Sequence, residues 1–189
     1  MGHLKNCKSI QSLIGHSNLS FYLECLSSLK SYCVDKIELL LHNDGTLTEE
    51  DIEFIHTKLG EDCNLVNFET AKETTLDQLV GYPHCQHYRR ESIWGIEFFD
   101  PIFAQPSSNL SYYIDADIFF LRSFTGLFDS KTIEGGAIFL QDIQWDAYCI
   151  RPWHLIGTKK VPKIVSGITT ALVCWDKRAI DWEYLEWFL

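Results

Sequence analysis

The sequence has few of the features that mark a secreted, membrane-bound or disordered protein. In 189 residues there are 5 prolines and 1 methionine, and no repeat or low-complexity linker divides the chain. Its longest apolar stretches are interrupted by Asp115 and Asp117, so no segment predicts a transmembrane helix. The N-terminus, MGHLKNCKSIQSLIG, lacks the apolar run of a signal peptide. We therefore expect a cytoplasmic protein with a single domain over residues 1–189.

Positive charge is also scarce. There are 16 Lys and Arg residues against 26 Asp and Glu, which gives a formal net charge of -10 at pH 7. An acidic chain repels phosphate backbones, so nucleic acid is not an expected partner. A small anionic ligand can still bind where a metal ion or a local arginine reverses the charge of one cleft.

Cysteine pairing is not indicated. The 7 cysteines are an odd number and form no C-x-x-C motif, which favours free thiols in a reducing compartment. His84 and His87 flank Cys85 at a spacing that can share a helix face. No second Cys or His pair completes a tetrahedron, so zinc is not favoured.

Apolar periodicity alternates between strand and helix along the chain. Strands are predicted at 10–15, 37–41, 64–68, 111–114, 137–140 and 164–174, and helices at 20–32, 48–59, 76–104 and 177–189. Ser20 and Thr48 are predicted helix N-caps, and Gly60 a helix stop. Breaks are expected at Pro83 and Pro101. This order predicts an α/β fold with a mainly parallel sheet flanked by helices, whose ligands bind beyond the carboxyl ends of the strands.

The segment YYIDADIFFLRSF, residues 112–124, carries the most chemical information. Two carboxylates, Asp115 and Asp117, follow a hydrophobic strand and precede another apolar run, where unpaired charge is costly. Period-two geometry puts both on one side of an extended backbone, so that both can serve one Mn²⁺ or Mg²⁺ ion. Alternatively, they are turn or capping aspartates. A phosphatase with Asp115 as nucleophile is a third interpretation, but that class usually has Thr or Val where Phe119 stands.

Several further side chains are candidates for a ligand site. Arg89 or Arg90 could bind a diphosphate, or Arg90 could stack on Trp94 on a solvated helix face.

The remaining candidates follow predicted strands. Asp44 and His16 lie on the predicted rim and could contact a nucleotide, although Asp44-Gly45 is also an ordinary turn. Asp142 and Asp146 follow a later strand, and either could deprotonate an acceptor hydroxyl as a general base.

The DXD segment resembles that of GT-A type glycosyltransferases, the nucleotide-diphospho-sugar transferase family. Other segments resemble the same family in order: 20–32 the helix after the first strand, 37–55 the second strand with its turn and helix, and 87–105 the helical approach to the DXD strand. Residues 165–182 resemble a later strand in which many relatives carry Asn-Ser-Gly.

The resemblance implies a Rossmann-like GT-A fold and a metal-dependent sugar transferase. Its donor would be a nucleotide diphosphate sugar, with UDP-sugars favoured, and its acceptor an unknown glycan, lipid or protein. Asp115 would lie nearer the ribose and the metal, and Asp117 would be the firmer metal ligand. A bound cation would stabilise the charge that develops on the departing diphosphate.

The sequence departs from the family pattern at two places. Val165 stands where relatives often have Asn, and the chain reaches Leu189 without the C-terminal histidine that often completes the family's metal site. The resemblance therefore implies a domain that lacks part of the acceptor-binding C-terminal region. A non-catalytic nucleotide-sugar-binding protein, or an inactive truncated homologue, is the alternative.

Overall fold

The computed structural model describes residues 7–60, 63–105, 107–129, 133, 135–143, 156, 165 and 167–189. In the first part of the chain, strands and helices alternate. They are β1 (Lys8–Ile14), α1 (Leu19–Tyr32), β2 (Ile37–Asn43), α2 (Glu49–Leu59) and β3 (Cys63–Val66).

Three consecutive helices then lead back to the middle of the sheet, and the remaining strands follow. The helices are α3 (Phe68–Gln78), α4 (Pro83–Glu91) and α5 (Ile93–Phe103). The later elements are β4 (Leu110–Ile114), β5 (Ala137–Gln141), β6 (Ile168–Asp176), a short 3-10 helix (Lys177–Ala179) and α6 (Trp182–Phe188).

The six strands form one sheet in the order β3-β2-β1-β4-β6-β5. β1 is parallel to both β2 and β4, and β2 is parallel to β3. β6 is antiparallel to its neighbours β4 and β5. Five strands therefore share one direction, which confirms the predicted mainly parallel sheet. The carboxyl ends of these five strands meet at one edge.

Alternation along the strands separates the two faces of the sheet. Ile10, Leu39 and Tyr112 belong to a large buried cluster that also contains Leu23 of α1 and Ile55 of α2. The opposite face carries α3 and α5. Burying this side-chain cluster provides the main driving force for folding, and it fixes the carboxyl edge of β1 and β4 as a rigid frame.

Buried hydrogen bonds of Gln11 join α5 to the face of the sheet on which it packs. The Gln11 side-chain amide donates to the Pro101 carbonyl and to the Ser111 hydroxyl, both at 3.0 Å. Its carbonyl oxygen lies 2.9 Å from Nε2 of His42. These contacts satisfy polar groups that would be costly to bury alone, and they fix how α5 lies on β1 and β4.

Local capping signals explain several helix ends. Thr48 caps α2 as predicted: its hydroxyl accepts from the Asp51 N–H, and the Asp51 carboxylate accepts from the Thr48 N–H, a complete capping box. Gly60 ends α2 at φ 86°, a conformation that favours glycine. Ser20 is not the cap of α1, because Asn18 occupies that position in a left-handed conformation.

Two other boundaries differ from the prediction. Asn67 does not extend β3, because its side chain accepts from the Thr70 N–H and starts α3 there. The expected break at Pro101 is absent: this proline lies in the last turn of α5, and the break falls at Ser92 between α4 and α5. Among the described residues, no helix is long and apolar enough to cross a membrane.

Candidate functional site

A cavity of about 270 Å³ lies at the carboxyl edge of the sheet between the ends of β1 and β4. The winding direction of the sheet reverses between these two strands, which is where open α/β sheets bind their ligands. We call this space the switch-point cavity. It is lined by Leu13, Ile14, Gly15, Ser17, Tyr22, Asp44, Ile93, Trp94, Glu97, Tyr113, Asp115, Ala116 and Asp117.

Alternation after β4 places both predicted metal-binding carboxylates along this cavity. The Asp115 N–H donates to the Ala171 carbonyl at 2.8 Å, which continues the pairing of β4 with β6. Ala116 is buried in the core and Ile118 packs against it. Asp115 and Asp117, which alternate with these two residues, line the cavity. Asp117 is exposed and Asp115 is partly buried.

A third acid, Glu97 of α5, lines the same cavity and was missed by the sequence analysis. Burial, together with the negative charges of Asp115 and Asp117, raises the pKa of Glu97 to about 7. The only signal for it in the sequence is a single acid within the apolar segment IWGIEFF. That signal does not reveal its neighbours, because they depend on how α5 packs against β4.

Asp115 is also held in an unfavourable environment for a charge. Burial and the nearby charge of Asp117 raise the pKa of Asp115 to about 6, and a hydrogen bond from the Tyr113 side chain opposes this shift. Among the described residues, no Lys, Arg or His forms an ion pair with Glu97, Asp115 or Asp117. This concentration of negative charge favours a cation.

The carboxylates that line the cavity provide only some of the ligands that a hard divalent cation needs. Carboxylates suit Mn²⁺ and Mg²⁺, but the described residues hold no group of three His, Cys, Asp or Glu side chains close enough to enclose a metal ion. Two carboxylates beside an open cavity fit an ion that takes its remaining ligands from water and a substrate diphosphate.

Asp44 reaches the cavity from the turn after β2. Its Oδ1 accepts from the N–H and the hydroxyl of Thr46, at 2.9 and 2.6 Å. Its other carboxylate oxygen lies directly over Gly15, so a Cβ at residue 15 would overlap it. The absence of a side chain at Gly15 therefore allows β1 and the Asp44 turn to approach each other beside the cavity.

His16 has a structural partner next to the cavity. Its Nδ1 lies 2.8 Å from Oδ2 of Asp51, the acid of the α2 capping box, and its N–H donates to the Thr46 hydroxyl at 2.8 Å. The His16 side chain is exposed and is not among the residues that line the cavity.

The two arginines predicted near the diphosphate lie elsewhere. Arg89 is buried and donates to both oxygens of Asp100, at 2.8 and 2.7 Å, while its guanidinium lies 5.3 Å from the Phe68 ring centroid. Arg90 is exposed on α4 and does not line the switch-point cavity. Among the described residues, it makes no cation–π contact with Trp94. Arg89 is thus part of the packing between α3, α4 and α5.

Of the two predicted bases, only Asp142 lies in the described part of the chain. It follows β5 at the carboxyl edge, and its N–H donates to the Gly167 carbonyl at 2.8 Å. Asp146 lies outside the described residues. The His84 side chain, considered above for zinc, has a structural partner: its Nδ1 lies 2.9 Å from Oε1 of Glu186 on α6.

The fold was compared with known proteins. No protein-family model matches the sequence, and no curated protein sequence matches it. Solved structures do match the fold. The galactosyltransferase LgtC, solved with donor and acceptor sugar analogs, aligns at TM-score 0.57 and 13% identity over 95% of this chain and 64% of that one.

Two other glycosyltransferases are similar in structure. The bifunctional glycosyltransferase WbbM aligns at TM-score 0.55 and 9% identity over 98% of this chain and 34% of that chain. Core-mannan synthase A of Aspergillus fumigatus, in a Mn/GDP form, aligns at 0.52 and 12% identity over 100% of this chain and 66% of that chain. This chain thus spans less than two thirds of these proteins. Together they confirm that its fold is the GT-A glycosyltransferase fold.

Proposed function

We propose that this chain is a glycosyltransferase domain that uses a nucleotide diphosphate sugar, with a UDP-sugar favoured. The observation that carries the proposal is the position of Asp115 and Asp117, side by side along the cavity where the sheet reverses its winding. Structural neighbours that bind donor and acceptor sugar analogs, or Mn and GDP, support the same chemistry.

The proposed reaction exchanges one bond at the anomeric carbon of the donor sugar. The bond from this carbon to the diphosphate oxygen breaks, and the nucleoside diphosphate leaves with the electron pair. A bond to the acceptor oxygen forms, and the acceptor hydroxyl gives up its proton. A bound Mn²⁺ or Mg²⁺ ion supplies positive charge next to the leaving diphosphate.

The chain's own residues have distinct roles in this proposal. Asp115 and Asp117 hold the cation, and Asp44, on the turn after β2, flanks the nucleotide. His16 is proposed to contact the nucleotide from its sequence position after β1 alone, because its side chain contacts Asp51 outside the cavity lining. Asp142, which follows β5 at the same sheet edge, is proposed to accept the acceptor proton. Asp146 is proposed for that role from its sequence position alone. Arg89 is left out, because Asp100 already occupies its guanidinium.

The test is calorimetric titration of UDP and GDP into the protein, with and without Mn²⁺. We expect binding that requires the metal and that weakens by about 100-fold or more in Asp117→Ala, since a direct ligand is lost. Asp77→Ala is the matched control, because Asp77 is exposed on α3 away from the cavity. Absence of binding by both nucleotides in the presence of metal would overturn the proposal.

Turnover distinguishes an enzyme from a binding protein. Release of UDP from UDP-sugars in the presence of Mn²⁺, lost in Asp117→Ala, is expected of a transferase. Intact nucleotide binding with no release, across a panel of donors and acceptors, would instead identify a non-catalytic nucleotide-sugar-binding protein.

A further inference from the structure

A second cavity, of about 420 Å³, adjoins the switch-point cavity. The two share Trp94, Glu97 and Tyr113, so they lie next to each other along α5 and the end of β4. We call this second space the aromatic cavity. Its volume is within the roughly 300–1,000 Å³ typical of sites for small ligands.

Strand register builds the floor of the aromatic cavity. Tyr113 of β4 pairs with Val173 of β6, and Val173 pairs with Phe139 of β5. Directly paired residues point to the same face of a sheet, so these three form a continuous apolar row across three strands. All three line the cavity.

Helical periodicity builds the walls. Trp94 and Phe98 of α5 are four residues apart, and Leu185 and Phe188 of α6 are three residues apart, so each pair shares one helix face. The edge of Phe98 meets Trp175, with ring centroids 5.0 Å apart and the planes at 87°. The walls thus offer hydrocarbon and ring surface.

Polar partners for a ligand are few. Glu97 stands where the two cavities join. The other polar groups of the lining are the hydroxyls of Tyr88, Tyr113 and Thr170 and the indole N–H of Trp175, which has no hydrogen-bond partner among the described residues. A bare sugar or a peptide in the aromatic cavity would leave most of its hydrogen-bonding groups without partners, which is costly. A hydrocarbon body has no such requirement.

Trp94 stands at the mouth shared by both cavities and is 62% exposed. An exposed indole beside a cavity provides a large, rigid surface that gains contact area when a ligand covers it. Ile93, beside it, is 44% exposed and lines the switch-point cavity. Ile93 and Trp94 thus extend apolar surface from the cavities to the outside of the molecule.

We propose that the aromatic cavity is the acceptor subsite and that the acceptor carries a hydrocarbon body, with its reacting hydroxyl directed toward Glu97 and the donor. This inference rests on the proposed function, because it takes the switch-point cavity as the donor site. The shared lining by Trp94, Glu97 and Tyr113 puts the two cavities next to each other, as transfer between their ligands requires.

The test measures binding of methyl, butyl, hexyl and octyl β-glucosides, below micelle-forming concentrations, by calorimetry. The sugar is constant across the series, so the slope with chain length reports on the hydrocarbon part alone. We expect affinity to rise by up to about fourfold per added methylene that enters the cavity. An affinity that is flat with chain length would overturn the proposal.

Two variants locate the site. Trp94→Ala should weaken octyl glucoside binding about tenfold, because it removes one wall at the mouth. Thr170→Phe places a ring in the cavity from β6 and should reduce the chain-length slope, while a strand tolerates the aromatic residue. Phe54→Ala is the control, since Phe54 is an exposed aromatic on α2 that lines neither cavity. A slope unchanged in both variants would place alkyl binding elsewhere and overturn the proposal.

Two parallel measurements separate the other outcomes. A dimer seen by sedimentation equilibrium that dissociates in Trp94→Ala would show that a second copy of the chain covers the cavity, which overturns the proposal. Nucleotide binding is measured on the same samples. If neither UDP nor GDP binds in the presence of Mn²⁺, the proposed function is overturned, and the acceptor subsite with it. If either nucleotide binds but the affinity for the alkyl series is flat, only the acceptor subsite is overturned.

Discussion

Buried acids occur in two regions of this molecule, and their surroundings differ. In the first region are acids that have protein partners. Asp100 of α5 accepts two hydrogen bonds from the Arg89 guanidinium, and Asp176 at the end of β6 accepts hydrogen bonds from Arg178 and from the Gly135 N–H. These contacts hold the pKa of Asp176 well below its usual range. Burial raises the pKa of Asp100, and the charge and hydrogen bonds of Arg89 oppose that shift. At the switch-point cavity, burial and the charge of Asp117 raise the pKa of Asp115 to about 6, with no ion-pair partner among the described residues to oppose them.

The difference indicates what each group of acids is for. A buried carboxylate with a bidentate arginine is satisfied within the fold, and the Arg89–Asp100 pair joins the consecutive helices α4 and α5. The cavity acids Glu97, Asp115 and Asp117 have no ion-pair partner among the described residues, so their charge favours a ligand that brings positive charge. The presence or absence of a cationic partner, rather than a shifted pKa alone, therefore separates the acids of the scaffold from those of the candidate site.

The largest effect is expected from breaking the buried pair. Arg89→Met leaves the carboxylate of Asp100 buried without its partner, which should lower the free energy of unfolding by about 3–5 kcal/mol. Urea unfolding measures the change. Arg90→Met is the matched control, because the neighbouring Arg90 is exposed and should change stability little. Weakened nucleotide binding in folded Arg89→Met, with stability unchanged, would reverse the assignment of Arg89 to the scaffold.

A cavity acid should behave in the opposite way. The pKa of Glu97 is raised from 4.5 to about 7, so between those pH values the folded chain binds more protons than the unfolded chain. The Glu97 contribution therefore destabilises the fold increasingly as pH rises from about 5 to about 8. Glu97→Gln should raise the free energy of unfolding by about 1–3 kcal/mol at pH 8, after discounting for solvent screening, and by little at pH 5.

The measurement compares urea unfolding of Glu97→Gln and wild type across that pH range in metal-free buffer. Glu53→Gln, at an exposed position on α2, is the control and should leave the pH dependence unchanged. If the free energy of unfolding changes with pH in the same way in wild type and Glu97→Gln, the raised pKa of Glu97 is contradicted. Glu97 would then no longer count among the cavity acids with a perturbed pKa.

Asp44 has features of both the cavity acids and the paired acids, because it lines the cavity and also accepts a hydrogen bond from the Thr46 N–H. Gly15→Ala places a methyl group against the Asp44 carboxylate and should cost about 1–2 kcal/mol of stability by overpacking. It should also weaken UDP binding, since Asp44 must move. Gly136→Ala is the control, because nothing lies within 4 Å of its added Cβ. Equal stability of the two variants would show that the Asp44 turn is adaptable.

The smallest effect is expected at a paired acid on the surface. Thr48→Ala removes the hydroxyl that accepts from the Asp51 N–H and should cost about 1 kcal/mol in thermal or urea unfolding. Thr57→Ala, within the exposed face of the same helix, should be neutral or slightly stabilising because alanine favours helix. A larger loss for Thr57→Ala than for Thr48→Ala would contradict the capping assignment.

Much of the fold could be predicted because its signals are local. The Thr48–Asp51 capping box and the Gly60 stop depend on residues a few positions apart, and both occur as predicted. A break was expected at Pro101, yet α5 continues through it to Phe103, and the Pro101 carbonyl accepts a buried hydrogen bond from Gln11 of β1. Proline's local preference thus did not predict the helix end that occurs in the folded chain.

The candidate site was only partly predictable for the same reason. Asp115 and Asp117 are visible in the sequence because a strand and its following turn are contiguous. Arg89 was expected at a diphosphate, since nothing near it in the sequence indicates that Asp100, on the next helix, would bind it. The direction of a helical side chain depends on how the helix is packed, and pattern alone does not give that packing.

The sequence by itself determined the alternation of strands and helices, the mainly parallel sheet, and the strand end at which two carboxylates stand. Spacings of a few residues control such features, because they fix backbone geometry and side-chain direction within one element. Tertiary structure alone decided which charges are paired. It buried Arg89 against Asp100 and brought Glu97 of α5 beside Asp115 of β4, because the distances between side chains on separate elements are set by packing and strand register.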